Sequence, residues 1–379
     1  MMFELTEDQQ LLKQNVREFM EKNVEPTVLE RDAAQKWDRS LYDQAAELGL
    51  TGLYLPEEYG GSGIDFLSYI MAVEEISRVD DGLGIALSAS VSLCSNPIND
   101  FGTPEQKEKY LTPLAKGEHL GAFGLTEPNA GSDAARQQSI ARLEGDHYVL
   151  NGSKIFITNA SSAETYVVFA MTDPSAGTRG ITGFILEKDM PGFTFGKKEN
   201  KLGIRTSLTR ELLFQDVKVP VENVLGQVGK GFKVAMATLD GGRIAVAAQA
   251  VGIAQGAYEH ALAYAKERVQ FNAPIAKNQT IGFKLADMAT KIDAARLLTY
   301  RAASLKDAGK PFSKEAAMAK YYASDIALEV TADAIQIYGG YGYSEDYPVA
   351  RYFRNAKITQ IYEGTNEIQR VVVSGSILR

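Results

Sequence analysis

HYVLNGSKIFIT, residues 147–158, decides the fold. Tyr, Val, Ile, Phe and Thr crowd this stretch around an Asn-Gly pair, a composition that suits a pleated, half-buried surface better than a helix. Reading outward, TYVVFAM (165–171), TGFILE (182–187) and ELLFQDVKV (211–219) repeat the pattern, separated by Gly, Pro, Asn and Asp. Residues 121–230 are therefore expected to form an all-β middle domain.

On both flanks the period changes. Thr6 and Gln9 fit a capping box, and Leu12, Val16 and Phe19 follow at the i, i+4, i+7 spacing of a helical stripe. TPEQ at 103–106 offers Thr103 as N-cap and Pro104 at the first helical position, with Gly117 placed to stop that helix. Beyond Gly231 the helical period returns at about 232–268, 280–307 and 313–338, in stretches rich in Ala, Leu, Lys and Glu. Such lengths suit a helical bundle. The expected division is a helical domain over 1–120, a β domain over 121–230 and a helical domain over 231–379, an α+β multi-domain chain. Segregated blocks of this kind differ from the βαβ alternation of nucleotide-binding sheets. The phosphate-loop and dinucleotide fingerprints are absent as strand–loop–helix units. No repeat of about 20 to 50 residues and no low-complexity linker is found, so the pieces should pack as one body.

A chain of 379 residues, 45% hydrophobic and 23% charged, can bury a large core without staples. Its net charge of −8 argues against a broad electropositive footprint for nucleic acid. Cys94, the one cysteine, cannot form an internal disulfide. His119, His147 and His260 lie far apart with no H-x-x-x-H pair, and no metal is assigned. MMFELTEDQQ at the start is acidic and polar where a targeting segment would be basic and apolar. No apolar run has the length of a membrane span. A bacterial-type cytoplasmic location is the expectation, although a processed mitochondrial chain would look the same.

Four segments depart from ordinary packing patterns. FGLTEPNAGSDA (123–134) concentrates turn residues at the entry to the β domain, where amides and the hydroxyls of Thr126 and Ser132 are exposed either to a ligand or only to water. NGSKIFITNA (151–160) carries Phe156 and Thr158 on one face of a strand, fit for a flat heterocycle or for plain core packing. QIYGGYGYSEDYPVARYFRNA (336–356) sets Gly339, Gly340 and Gly342 after a long helix, where one glycine would be enough for a C-cap. KITQIYEGTNEIQR (357–370) places Glu363 before Gly364 and Thr365, a plausible N-cap for a last helix. That carboxylate reads either as a favourable charge at a helix start or as a general base.

TEPNAGSDA, KIFITN, QIYGGYGY and IYEGTNEIQR, in this order and spacing, resemble the acyl-CoA dehydrogenase family along essentially the whole chain, and LDGGRI (239–244) with ERVQFNAPI (267–275) adds to the likeness. The details look most like the short-chain, butyryl-CoA branch. The resemblance implies an N-terminal helical domain, a central β-barrel and a C-terminal four-helix bundle, assembled as a homotetramer that binds FAD. It implies that Phe123, Leu125, Thr126, Gly131 and Ser132 border the flavin and the thioester, and that Phe156, Ile157 and Thr158 cover the isoalloxazine. Arg268, Phe271, Gln279, Gln336, Gly339 and Gly340 resemble the elements that hold the adenine and diphosphate end across a subunit contact. Thr365 and Glu367 match further FAD contacts. Ser132, Asp240 and Arg243 match contacts to CoA, with Tyr362 and Gly364 flanking the substrate.

The implied reaction removes the α-proton with Glu363 and transfers a β-hydride to flavin N5, giving a trans-2-enoyl-CoA, with electron-transferring flavoprotein as the acceptor. The thioester carbonyl would be polarised by the Glu363 amide and a ribityl hydroxyl. Some related families place the base at the position of Gly242, and Glu at 363 with Gly at 242 selects the former. Arg136 replaces a usually small residue and Asn272 a usual glycine, and neither removes a catalytic group. Branched short acyl-CoA, an oxygen-using acyl-CoA or nitroalkane-type oxidase, and a non-enzymatic scaffold on this fold are the competing readings. Chain length would depend on a cavity lined by residues near 87–98 and 240–250.

Overall fold

The structure is a computed structural model and describes residues 4–378. Its middle part contains eight strands: β1 (Gly121–Gly124), β2 (Ile140–Glu144), β3 (His147–Thr158), β4 (Thr165–Met171), β5 (Ile181–Glu187), β6 (Phe193–Lys198), β7 (Thr209–Pro220) and β8 (Val224–Leu225). They join in the order β6-β7-β3-β2-β4-β5-β8, with β1 paired in parallel to β4. The sheet curls on itself. Tyr166 of β4 meets Phe193 of β6 at 4.9 Å between ring centroids, and Tyr148 of β3 meets Phe184 of β5 at 5.1 Å, although neither pair of strands is adjacent in the sheet.

Every residue of β4 is buried, and its alternation explains how. Tyr166, Val168 and Ala170 face the aromatic interior of the curled sheet, while Val167, Phe169 and Met171 face a second core with Ile98, Leu111 and Leu114 of the N-terminal helices. A strand covered on both faces reads as a continuous apolar run rather than an alternating one.

The capping box at Thr6 and Gln9 forms, with both hydrogen bonds at 3.2 Å, and Thr103 with Gln106 makes a second one. The chain passes from helix to strand between Ala115 and Gly121, and back to helix between Leu225 and Gly231. The last part holds five helices: Gly231–Glu267, Gln279–Asp307, Ser313–Tyr338, Pro348–Thr359 and Asn366–Ile377. The first of these has 37 residues, a rod about 55 Å long. Helix Pro348–Thr359 and a short hairpin pairing Val269–Gln270 with Ala273–Pro274 are not foreseen from the sequence. The hairpin turns through Phe271 and Asn272, both left-handed with φ of 50° and 62°. A two-residue turn of this hand needs positive φ twice, and Asn tolerates that better than most residues. Asn272 therefore suits the turn where a glycine is usual.

Buried charges join the three parts. Arg31 from the N-terminal helices donates to Asp80 at 2.6 Å, Thr206 from the loop before β7 donates to the same carboxylate at 2.7 Å, and Asn355 of helix Pro348–Thr359 donates to Asp81 at 2.7 Å. Asp80 is fully buried. Its carboxyl lies below the usual range because Arg31 and Arg351 together outweigh the cost of burial. Arg31→Met is expected to deprive that buried carboxylate of its paired cation and to cost about 3–5 kcal/mol, read as a lowered unfolding temperature. Among the described residues no helix is long and apolar enough to cross a membrane.

Candidate active site

Glu363 lies in the turn between helices Pro348–Thr359 and Asn366–Ile377. Thr365 caps the second helix, its hydroxyl accepting from the Ile368 amide at 3.3 Å. Gly364 and Glu363 are both left-handed, with φ of 90° and 51°. That conformation is free for glycine and costs a glutamate about 1–2 kcal/mol. The turn is held by bonds on several sides. Gln369 Nε2 donates to the carbonyls of Glu363 at 3.2 Å and Gly364 at 2.9 Å, Lys320 Nζ donates to Gly364 O at 2.8 Å, and the Asn366 amide donates to Gln360 O at 3.0 Å.

Held this way, the Glu363 side chain does not lie along the first turn of the helix it precedes. It reaches the long Gly231–Glu267 helix, where a Cβ added at Gly242 would stand 2.1 Å from Glu363 Oε2 and 2.8 Å from Leu93 Cδ2. The carboxylate and Leu93 thus occupy the space that a side chain at 242 would need. The residue as a whole is half-buried, but both carboxylate oxygens are covered and neither has a hydrogen-bond partner. Burial raises the Glu363 carboxyl to about 7, with Lys320 and then Arg243 opposing the rise. Lys320 is itself fully buried. Burial pulls its ammonium down to about 7 against the attraction of Glu363. Next along the chain, the Tyr362 hydroxyl donates to Gln249 Oε1 on the Gly231–Glu267 helix. Arg243, on that helix, donates to Asp240 at 2.6 Å. A desolvated carboxylate with no donor to satisfy it and a proton affinity near neutrality has the properties of a general base.

The segment expected around a flat ligand is built from two pieces. The Ile155 amide of β3 donates to Thr126 O at 2.9 Å, setting Thr126 beside Ile155 and Phe156. Between Lys154, paired with Leu212, and Ile157, paired with Arg210, the β3–β7 ladder carries a bulge. Phe156 sits in the bulge at φ 59° and is 62% exposed, Ile157 points into the core, and Thr158 is half-buried. Phe156 and Thr158 both lie off the core face taken by Ile157, but the bulge breaks the period of two, since Lys154 and Ile157, three residues apart, both point inward. Ile157 can offer a ligand only its backbone. Phe123 is half-buried against Phe169 at 5.2 Å, while the Leu125 side chain is in the core. Gly131 and Ser132 are exposed, and a Cβ at Gly131 would meet nothing within 4 Å. No hydrogen bond among the described residues joins Ser132 to Asp240 or Arg243. Arg136 is a solvated side chain near Asp133 at 3.9 Å, as its position beyond the turn suggests.

A separate cluster gathers Arg268 and the turn after helix Ser313–Tyr338. The Arg268 guanidinium lies 5.5 Å from the centre of the Tyr341 ring. Phe271 is 98% exposed at the tip of its hairpin, and Gln279, Gln336, Gly339 and Gly340 are exposed. Gly339 adopts φ 61°, ψ −135°, a region kept for glycine, whereas Gly342 is the packed one, since a Cβ there would stand 2.5 Å from Ile335 O. No hydrogen bond or ion pair among the described residues joins this cluster to Glu363 or Phe156. Glu367 is exposed in the first turn of the helix capped by Thr365.

Several buried polar side chains near the site receive no role from the sequence, although Glu127, Lys154 and Asn159 lie inside the quoted motifs. Lys154 is fully buried and donates to Glu127 Oε1 at 2.6 Å, Gln137 Oε1 at 3.0 Å and Leu125 O at 3.2 Å, while Glu127 accepts the amides of Gln138 and Ser139. Through Glu127 this pair ties the 128–133 turn, exposed except for Ala130, to the segment leading into β2. Asn159, left-handed at φ 66°, donates to Ala86 O at 2.8 Å and Gly121 O at 3.0 Å, tying the end of β3 to the N-terminal helices. Lys320 had a legible signal: it lies on the apolar stripe of Ala316, Ala323 and Ala327, where a solvated lysine has no place.

Sequence comparison gives matches to three families, described as acyl-CoA dehydrogenase N-terminal domain over residues 6–118, middle domain over 122–217 and C-terminal domain over 229–378. The chain is 61% identical, over the full length of both, to a short-chain specific acyl-CoA dehydrogenase of Megasphaera elsdenii. Its structure superimposes with a TM-score of 0.99 on butyryl-CoA dehydrogenase from Megasphaera elsdenii, 60% identical with full coverage of both chains. A TM-score of 0.99 is also found for a chain of a structure described as electron transferring flavoprotein of Acidaminococcus fermentans, towards a mechanism of flavin-based electron bifurcation. That chain is 64% identical, again with both chains covered in full.

Proposed function

The chain belongs to the acyl-CoA dehydrogenase family, and on that premise we propose that Glu363 removes the α-proton in an FAD-dependent α,β-dehydrogenation of short-chain acyl-CoA, with butyryl-CoA as the first substrate to try. The observation that carries the proposal is the Glu363 carboxylate, covered and unbonded over Gly242. A base that removes a weakly acidic C–H proton works best when water is excluded and its own proton affinity is near the working pH. The covered carboxylate oxygens of Glu363 and the rise of its carboxyl to about 7 on burial support this reading.

The residues present fit a flavin. Phe156 is an exposed ring on a bulged strand beside Thr126 and Thr158, a flat apolar surface with hydroxyls at its edge. FAD, when bound, supplies the acceptor for the hydride that leaves the β-carbon. Phe123, Thr126, Gly131 and Ser132, with the backbone of Leu125 and Ile157, would border the flavin, and Thr365 and Glu367 would contact it at the helix start. Arg268, Phe271, Gln279, Gln336, Gly339 and Gly340 would hold its adenine and diphosphate end in a neighbouring copy, which accounts for a phenyl ring left almost wholly in water. That arrangement requires an oligomer, and a homotetramer is proposed. Ser132, Asp240 and Arg243 would take the CoA portion, and Tyr362 and Gly364 would flank the thioester. Electron-transferring flavoprotein is the proposed acceptor and the bacterial cytoplasm the proposed location, in keeping with the bacterial relatives above.

The test is direct. The purified protein is expected to be yellow, and its flavin absorbance should bleach within seconds of adding butyryl-CoA without oxygen. It should turn over with electron-transferring flavoprotein as acceptor. Activity across acyl-CoAs of increasing length should fall steeply beyond the short chains. An unbleached flavin would overturn the proposal, and rapid oxygen consumption with no flavoprotein acceptor would move the reading to an oxidase.

A further inference from the structure

We propose that Lys320 is a positioning residue for proton abstraction, holding the Glu363–Gly364 turn from inside the helical bundle so that the carboxylate is aimed over Gly242. The inference rests on the reading of Glu363 as the base and adds a residue that neither touches substrate nor belongs to the sequence motifs.

Lys320 is 0% exposed on helix Ser313–Tyr338. Its ammonium donates to Gly364 O at 2.8 Å and to Asn366 Oδ1 at 3.0 Å. One helical turn further on, Ser324 donates to the same Asn366 oxygen at 3.1 Å, and Asn366 Nδ2 donates to Ser324 Oγ at 2.9 Å and Asp325 Oδ1 at 2.7 Å. Two successive turns of one helix therefore grip both ends of the short segment that follows the base. Gly364 O accepts from Lys320 and Gln369 together, which fixes the peptide plane beyond the strained Glu363. A left-handed glutamate relaxes unless its surroundings hold it, and these bonds are what hold it.

A neutral donor would be enough for that task, and burying an ammonium costs several kcal/mol unless its charge is used. No carboxylate lies within ion-pairing distance of Lys320 among the described residues. The charged groups that face it are Glu363, Arg243, Asp325 and Glu367. Those facing Glu363 are Lys320 and Arg243, with the Tyr362 and Tyr69 hydroxyls also near. The ammonium favours the ionised carboxylate against the burial that opposes it. Lys320 thus sets both where the base points and how readily it holds a proton.

The experiment uses the flavin-loaded enzyme with Lys320→Met, Lys320→Gln and Lys320→Arg, each alone and combined with Glu363→Gln. Lys320→Met should lower kcat about 10- to 100-fold with KM changed by less than about threefold. It should move the acid limb of kcat/KM to higher pH, because loss of a nearby cation raises a carboxyl's proton affinity. Lys320→Arg stays charged throughout and should leave that limb at or below its original pH. In the Glu363→Gln background Lys320→Met should have almost no further effect on kcat, since the two act as one unit. An unchanged kcat and pH profile overturns the inference, as does an equal loss in both backgrounds. Should Lys320→Met not fold or lose flavin, Lys320→Gln, shorter and uncharged, is read the same way: a lowered kcat with a shifted acid limb and flavin retained supports the inference, and an unchanged kcat and limb sinks it. Near-normal turnover of Glu363→Gln would instead remove the base reading, leaving a different signature from a silent Lys320.

Discussion

Glu363→Gln lowers turnover on butyryl-CoA by about 10²- to 10⁴-fold, the range expected when a general base is removed, while the protein still binds flavin and thioester. The amide is the same size, so the packing against Gly242 and Leu93 survives and only the ability to accept a proton is lost. In the unaltered enzyme kcat/KM should rise with pH as the carboxyl ionises, with an acid limb near the value of about 7 that burial imposes. The same carboxyl has a stability signature of definite sign. Its proton affinity is higher folded than unfolded, so the unfolded chain releases the proton first as pH rises from about 4.5 to about 7, and folded stability is lost across that window. Glu363→Gln does not ionise and escapes the loss. Its unfolding temperature should exceed that of the parent at pH 8, and the difference should close below about pH 4.5. A variant with unimpaired turnover and a parent-like pH profile would show that the proton goes elsewhere.

Gly242→Ala slows the enzyme about 100-fold without unfolding it. The new methyl carbon would sit 2.1 Å from Glu363 Oε2 and 2.8 Å from Leu93 Cδ2, both well inside contact distance, so the carboxylate must swing aside by about an ångström or more. A displacement of that size at the reacting group costs on the order of 10²-fold in rate. Helix propensity works in the opposite direction, since alanine in a helix interior is favoured over glycine by about 1 kcal/mol. Position 242 lies inside the Gly231–Glu267 helix. The expected signature is a large fall in kcat with secondary structure intact and a nearly unchanged unfolding temperature. Measuring rate and thermal unfolding on one preparation separates this from a folding defect. Parent-like turnover would mean that Glu363 can work from another rotamer.

What the sequence determined by itself was local and periodic. Composition placed β3 and β4 at 147–158 and 165–171, the observed limits, because β-branched and aromatic residues were bounded there by Gly, Asn and Asp. The capping residues Thr6 and Thr103 were legible because a cap bonds to its own helix only three residues on. The short strands β1, β2, β6 and β8 were missed because their pairing partners, more than their own residues, make them strands. At the site, ordered motifs named Glu363, Thr365 and the Phe156 strand. No spacing along the chain could show that Glu363 turns back onto Gly242, far earlier in the chain, or that Lys320 and Gln369 hold it there. Only the tertiary structure decided those points. A carboxylate acquires its proton affinity from what surrounds it in space, and the groups that bury Glu363 and pull against that burial come from separate helices.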